Sequence, residues 1–77
     1  MKFKFTFHWS NKRKEGRFEI KDYMIEYCVL NSEKIKDRRW QDAWNAISRI
    51  QPSNRKLKVV YKIEGKTIKI ITAYWLD

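Results

Sequence analysis

The chain's single histidine, His8, stands just ahead of a basic run, Lys12, Arg13 and Lys14. An imidazole near its ordinary pKa moves protons at neutral pH, and neighbouring cations stabilise the charge that builds on a phosphorane-like transition state. The same cations favour the neutral, base form of the ring. His8 with Lys12, Arg13 and Arg55 is therefore the candidate set for metal-free cleavage of RNA: His8 moves the proton and the others hold phosphate. The plainer alternative is an ordinary surface histidine. Arg38 and Arg39 either clamp phosphate or stay solvated.

Other chemistries are poorly served. Asp22, Glu26, Asp37 and Asp42 read as helix surface or helix caps rather than as an acid pair. One histidine and one cysteine, Cys28, cannot form a thiolate-cluster zinc site or an internal disulfide. Cys28 falls in an apolar helical stripe, which marks a buried thiol rather than a nucleophile. Two glycines cannot build a glycine-rich phosphate loop. No cofactor and no metal are expected.

The elements that must position these residues follow from hydrophobic periodicity. Over residues 2–8, Phe3, Phe5 and Phe7 alternate with Lys2, Lys4, Thr6 and His8, which predicts a half-buried strand. Residues 9–17 are polar and basic and read as a loop or short helix, with Trp9 covering the open side of the core. From Ile20 the period changes: Ile20, Tyr23, Met24, Tyr27, Cys28 and Leu30 predict one helix, ending near Asn31 and Ser32. Trp40, Ala43, Trp44, Ile47 and Ile50 also recur at helical spacing. They predict a second helix, capped by Asp37 and stopped before Pro52. Residues 52–55 make the turn.

The C-terminal stretch predicts a hairpin. Leu57, Val59, Tyr61 and Ile63 alternate with Lys56, Lys58, Val60 and Lys62, and Gly65 can take the positive φ of a tight turn. With Glu64–Gly65 as the loop, Ile63 pairs with Lys66 and Tyr61 with Ile68. Thr72 and Tyr74 then face the core, while Ala73 and Trp75 share the opposite face with Lys56, Lys58, Lys62 and Lys69. Adding Lys2 and Lys4 from the first strand gathers six lysines on one face. Trp75 there either stacks on a base or packs over the sheet edge.

The chain has 77 residues, so one domain, 1–77, is expected. A chain this short buries roughly 60–65% of its unfolded surface, and its stability should be about 4–11 kcal/mol. Eighteen lysines and arginines against nine acids give a net charge of +9, which points to a polyanion. Residues 18–33 alone are net acidic. A hydrophobic share of 43% is too high for a disordered basic tail. No apolar run approaches the ~18 residues of a membrane span, and MKFKFTFHW lacks a signal-peptide core. A cytoplasmic protein without membrane contact is expected.

Several of these residues also occur together in a known pattern. His8, the basic pair Lys12 and Arg13, Gly16 and the closing Ile71-Thr72-Ala73-Tyr74 resemble a family of small bacterial and archaeal domains related to the BrnT toxins of the RelE-like ribonuclease group. Phe7, Trp9 and Arg13 are similar to the F-x-W-x-x-x-K opening of BrnT-type proteins. The resemblance implies a toxin-like protein that cleaves RNA with basic side chains and no metal, paired with a cognate, acidic antitoxin. It also implies helices on one side of a small antiparallel sheet.

The expected fold is therefore α+β: a two-layer β-α-α-β-β, RelE-like domain with a three-stranded sheet and helices on one face. The expected function is RNA binding with metal-independent RNA cleavage, as in a toxin of a toxin–antitoxin system. Lys2, Lys4, Lys56, Lys58, Lys62, Lys69 and Trp75 would contact the nucleic acid. Two alternatives stand beside this: a non-catalytic module for RNA or DNA, and an interaction domain for an acidic protein.

Overall fold

A computed structural model describes residues 2–6, 9–10 and 19–76. Its elements run β1 (Lys2–Phe5), α1 (Asp22–Leu30), β2 (Ile35–Lys36), β3 (Trp44–Ile50), β4 (Arg55–Glu64) and β5 (Thr67–Trp75). The five strands form one mixed sheet in the order β1-β5-β4-β3-β2. β1 lies parallel to β5, and the other pairs are antiparallel. The α+β class holds, with a five-stranded sheet instead of three strands and a strand in place of the second helix.

That strand is β3. Trp44, Ile47 and Ile50 repeat every three residues and so mimic a helix. Paired with β4, however, the segment follows period two: Trp44, Ala46, Ser48 and Ile50 face the core, while Asn45, Ile47 and Arg49 face away. Ala46 and Ile50 are buried, and Ile47 is exposed. Pairing with a long neighbouring strand overrides a weak helical pattern. The turn at 51–54 then joins β3 to β4 as a hairpin. Asn54 takes a φ of +62° there, and Arg49 donates to its carbonyl at 2.9 Å.

α1 covers one face of the sheet, but its buried stripe is rotated from the predicted one. Ile25, Cys28 and Val29 are buried, whereas Tyr23, Tyr27 and Leu30 are exposed. The helix ends where expected: the backbone N–H and side-chain amide of Asn31 both donate to Tyr27 O, at 3.0 and 2.9 Å. The core joins these helix residues to Trp9, Ile20, Leu57, Val59, Tyr61, Ile68, Ile70 and Ala73. Phe3 and Phe5 pack on its edge. Cys28 is the buried thiol expected from its stripe. Its Sγ lies 3.5 Å from Ala46 O and 3.4 Å from Leu57 O, tying helix to sheet, and burial pushes its pKa up to about 11.

The β4–β5 hairpin exists, with its loop one residue further on. Glu64 pairs with Thr67 and Ile63 with Ile68, so Gly65 and Lys66 make the turn, and Gly65 takes a φ of +62°. A Cβ on Gly65 would meet nothing within 4 Å, so replacing it strains only the backbone. Gly65→Ala is expected to lower stability by about 1–2 kcal/mol, read from a urea denaturation midpoint at unchanged slope.

A second difference matters more. Tyr61 pairs with Ile70 but Val60 pairs with Thr72, leaving Ile71 as an extra residue in β5. This β-bulge shifts the alternation by one, so every later residue of β5 changes face. Thr72 and Tyr74 join the lysine face, opposite Val60 and Lys58, while Ala73 and Trp75 turn to the core. The expected placement of Trp75 among the lysines is thus corrected. Its indole N–H donates to Glu19 at 3.2 Å, and the Arg55 guanidinium lies 4.3 Å from its ring centre.

Candidate nucleic-acid interface

The sheet face away from α1 carries the charge. Strand alternation puts Lys2 and Lys4 of β1, Lys56, Lys58 and Lys62 of β4, and Lys69 of β5 on this face. The register sets Lys4, Lys69 and Lys62 side by side across three strands. Glu64 sits among them, its carboxylate 2.8 Å from the Lys69 ammonium. The hydrogen bond from Lys69, with the charges of Lys69, Lys62 and Lys4, holds the Glu64 carboxyl below the usual carboxylate range. One acid among so many cations leaves the field positive. Arg49 adds a further cation opposite Lys56.

The segment between β2 and β3 crosses over this face, and one aspartate shapes it. Asp37 Oδ2 accepts from the backbone N–H of Arg39 at 2.9 Å and of Trp40 at 2.6 Å. Asp37 N–H in turn donates to Ala43 O at 3.0 Å. Asp37 was expected to cap a helix; it caps a tight loop instead, by the same side-chain-to-backbone chemistry. Asp42 closes that loop with a φ of +61°. Desolvation would raise the Asp37 pKa, but the N–H donors of Trp40 and Arg39, the Asn45 side chain and the Lys58 charge together hold it below its ordinary value. Ala43 then packs with Val60 and Ile71 in a small apolar cluster that seats the loop on the sheet.

Between loop and sheet runs a groove of about 600 Å³. Arg38, Arg39 and Trp40 line it from the loop, Lys58 and Tyr74 from β4 and β5, and Asn45 and Thr72 lie along its sheet side. The Lys58 ammonium lies 5.6 Å from the Tyr74 ring centre. The groove therefore combines flexible and planar cations with two aromatic surfaces, the donors and stacking faces that a nucleotide needs.

The candidates from the sequence divide as follows. The six lysines share one face. Arg55 and Trp75 stack on each other at the edge of the core face, on the opposite side of the sheet. His8, Lys12 and Arg13 lie outside the described residues. Trp40, expected on a second helix, and Thr72 and Tyr74, expected on the core face, line the groove instead, together with Asn45, for which no role is expected from the sequence. The bulge that turns Tyr74 and Thr72 into the groove leaves no local signature, and Asn45 was hidden in a pattern read as helical. Among the described residues no helix is long and apolar enough to cross a membrane, and no three His, Cys, Asp or Glu side chains gather as a metal site.

No curated protein and no solved structure matched the chain. A family model did, over residues 5–75, from within β1 to the end of β5. Because that match covers nearly the whole chain, β3 to β5 and the groove-forming loop included, the chain belongs to the DUF4258 family, a domain of unknown function.

Proposed function

We infer that the protein binds single-stranded RNA on the open face of its sheet. The observation that carries this reading is the convergence of six lysines from three strands beside a groove bearing Arg38, Arg39, Trp40 and Tyr74. Lysines along a sheet face neutralise successive phosphates, and aromatic surfaces hold unpaired bases by stacking. A duplex offers no such free base faces, which favours a single strand. The reading takes the protein to act in the cytoplasm, where RNA is abundant.

RNA cleavage is the second part of the proposal. The segment Ile71-Thr72-Ala73-Tyr74, which carries the likeness to the toxin group, is the segment whose bulge turns Tyr74 into the groove. In this reading His8 moves the proton of the 2′-hydroxyl or leaving group, and Lys12 and Arg13 hold phosphate. Arg55 is left to its stack on Trp75. An acidic antitoxin would cover the same basic face and compete with RNA for it.

Mapping of backbone amide shifts tests the binding site. Adding a short unstructured RNA to isotopically labelled protein should move the amides of β4, β5 and residues 37–40. The amides of α1 should stay in place. Shifts centred on α1 with the lysine face silent would overturn the reading.

A further inference from the structure

Glu64 is the only acidic residue in any of the five strands, and it stands on the lysine face. The register places it at one corner of that face. Lys4, Lys69 and Lys62 form one row across β1, β5 and β4, and Lys2, Thr67 and Glu64 form the next row, two residues along. Side chains on the diagonal between two such rows stay within reach of each other when they are long. Glu64 uses that diagonal: its Oε1 lies 2.8 Å from Lys69 Nζ.

Lys2, Phe3, Lys4, Glu64, Thr67 and Lys69 enclose a hollow of about 550 Å³ at this corner. The Glu64 carboxylate is an anion already seated there. The hydrogen bond from Lys69 and the charges of Lys62 and Lys4 keep it ionised at neutral pH. The seat is not locked, because the Glu64 side chain is 55% exposed. Exposed ion pairs contribute little stability, so a competing anion can take the place of the carboxylate. A phosphodiester brings the same unit charge and good acceptor oxygens to the same ammonium donors.

We propose that this corner is a seat for an RNA phosphate, and that Glu64 is its resident anion, a built-in competitor that the strand must displace from Lys69. Breaking the Lys69–Glu64 pair offsets part of what the new phosphate contact contributes. The freed carboxylate also stays beside the phosphate and repels it. The face therefore holds RNA less tightly than its lysines alone would allow. This assignment rests on the RNA-binding reading and adds to it a residue that sets the affinity of the same face.

The test measures binding of a short oligouridine by fluorescence anisotropy, with the intact chain and over a range of salt. Glu64→Gln should bind about two- to fivefold more tightly at ~0.1 M salt. The upper figure is the 0.7 decade that one fully recovered phosphate contact contributes on a single strand, and the salt slope should steepen with it. Glu26→Gln makes the same change in net charge on α1, across the sheet from the lysines, and at that distance the charge is largely screened. It should leave the affinity as it is. In a Lys69→Met background, Glu64→Gln should lose its gain, because the pair it releases is already absent. Native protein that binds oligouridine with salt sensitivity while Glu64→Gln binds no more tightly would overturn the seat and leave the RNA-binding reading standing. An equal gain in Glu26→Gln would make the effect one of net charge and overturn it too. A gain that persists in Lys69→Met would overturn the competition for Lys69. Failure of both native and Glu64→Gln proteins to bind at low salt would overturn the RNA-binding reading itself, and the seat with it.

Discussion

Reversing two charges, Lys58→Glu with Lys69→Glu, should weaken RNA binding by at least about 25-fold at ~0.1 M salt. Each phosphate contact on a single strand contributes about 0.7 decade of affinity per decade of salt, so losing two removes about 1.4 decades below the 1 M reference. The fold should survive, because both lysines are partly solvated and such charges contribute little to stability. Val59→Lys, one residue along β4 from Lys58, should do the opposite. Val59 is fully buried between Ala46 and Ala73. An ion there meets no partner and loses several kcal/mol of hydration, comparable with the about 4–11 kcal/mol of a domain this size. The variant should be unfolded by circular dichroism. A folded Val59→Lys together with an unfolded double variant would invert the face assignment of β4.

His8→Ala should lower RNA cleavage by roughly 10²–10⁴-fold if the imidazole acts as general acid or base. Cleavage by a 2′-hydroxyl needs that hydroxyl beside the broken bond. Activity should therefore act on RNA, spare DNA, persist in a chelator and leave a 2′,3′-cyclic phosphate. RNA affinity should fall far less than rate, because the lysine face carries the phosphate contacts. Native protein that binds RNA without cutting it would leave a binding module. Cleavage at the native rate by His8→Ala would assign the proton transfer to another group. Loss of activity in a chelator would contradict the metal-free route.

Much of this architecture is legible in the residues themselves. Phe3 and Phe5 alternate with Lys2 and Lys4, and no element but a strand explains that period. Lys56 to Ile63 alternate in the same way, and Gly65 supplies the positive φ of the hairpin turn. The gathering of lysines on one face follows from these alternations alone. The two features that were not legible are both tertiary. β3 carries too few apolar residues to separate period two from period three, and only its pairing with β4 decides. The bulge at Ile71 interrupts an unbroken β-rich run, Thr67 to Trp75, in which any one residue could be the extra one. Its consequence is large, because it exchanges Trp75 for Tyr74 on the lysine-bearing face. The helix errs more gently. Ile20 to Leu30 is apolar on nearly every side except Lys21, Asp22 and Glu26, so the stripe that meets the sheet is set by contact with Ala46 and Leu57, not by composition.

The salt dependence of RNA binding by the native chain tests the central claim most directly. If the open face neutralises about four phosphates of a single strand, log K should fall with log[salt] at a slope of about −3. The Lys58→Glu, Lys69→Glu variant should show about half that slope. Affinity that does not change with salt, or no binding at low ionic strength, would contradict a polyanion site on this face.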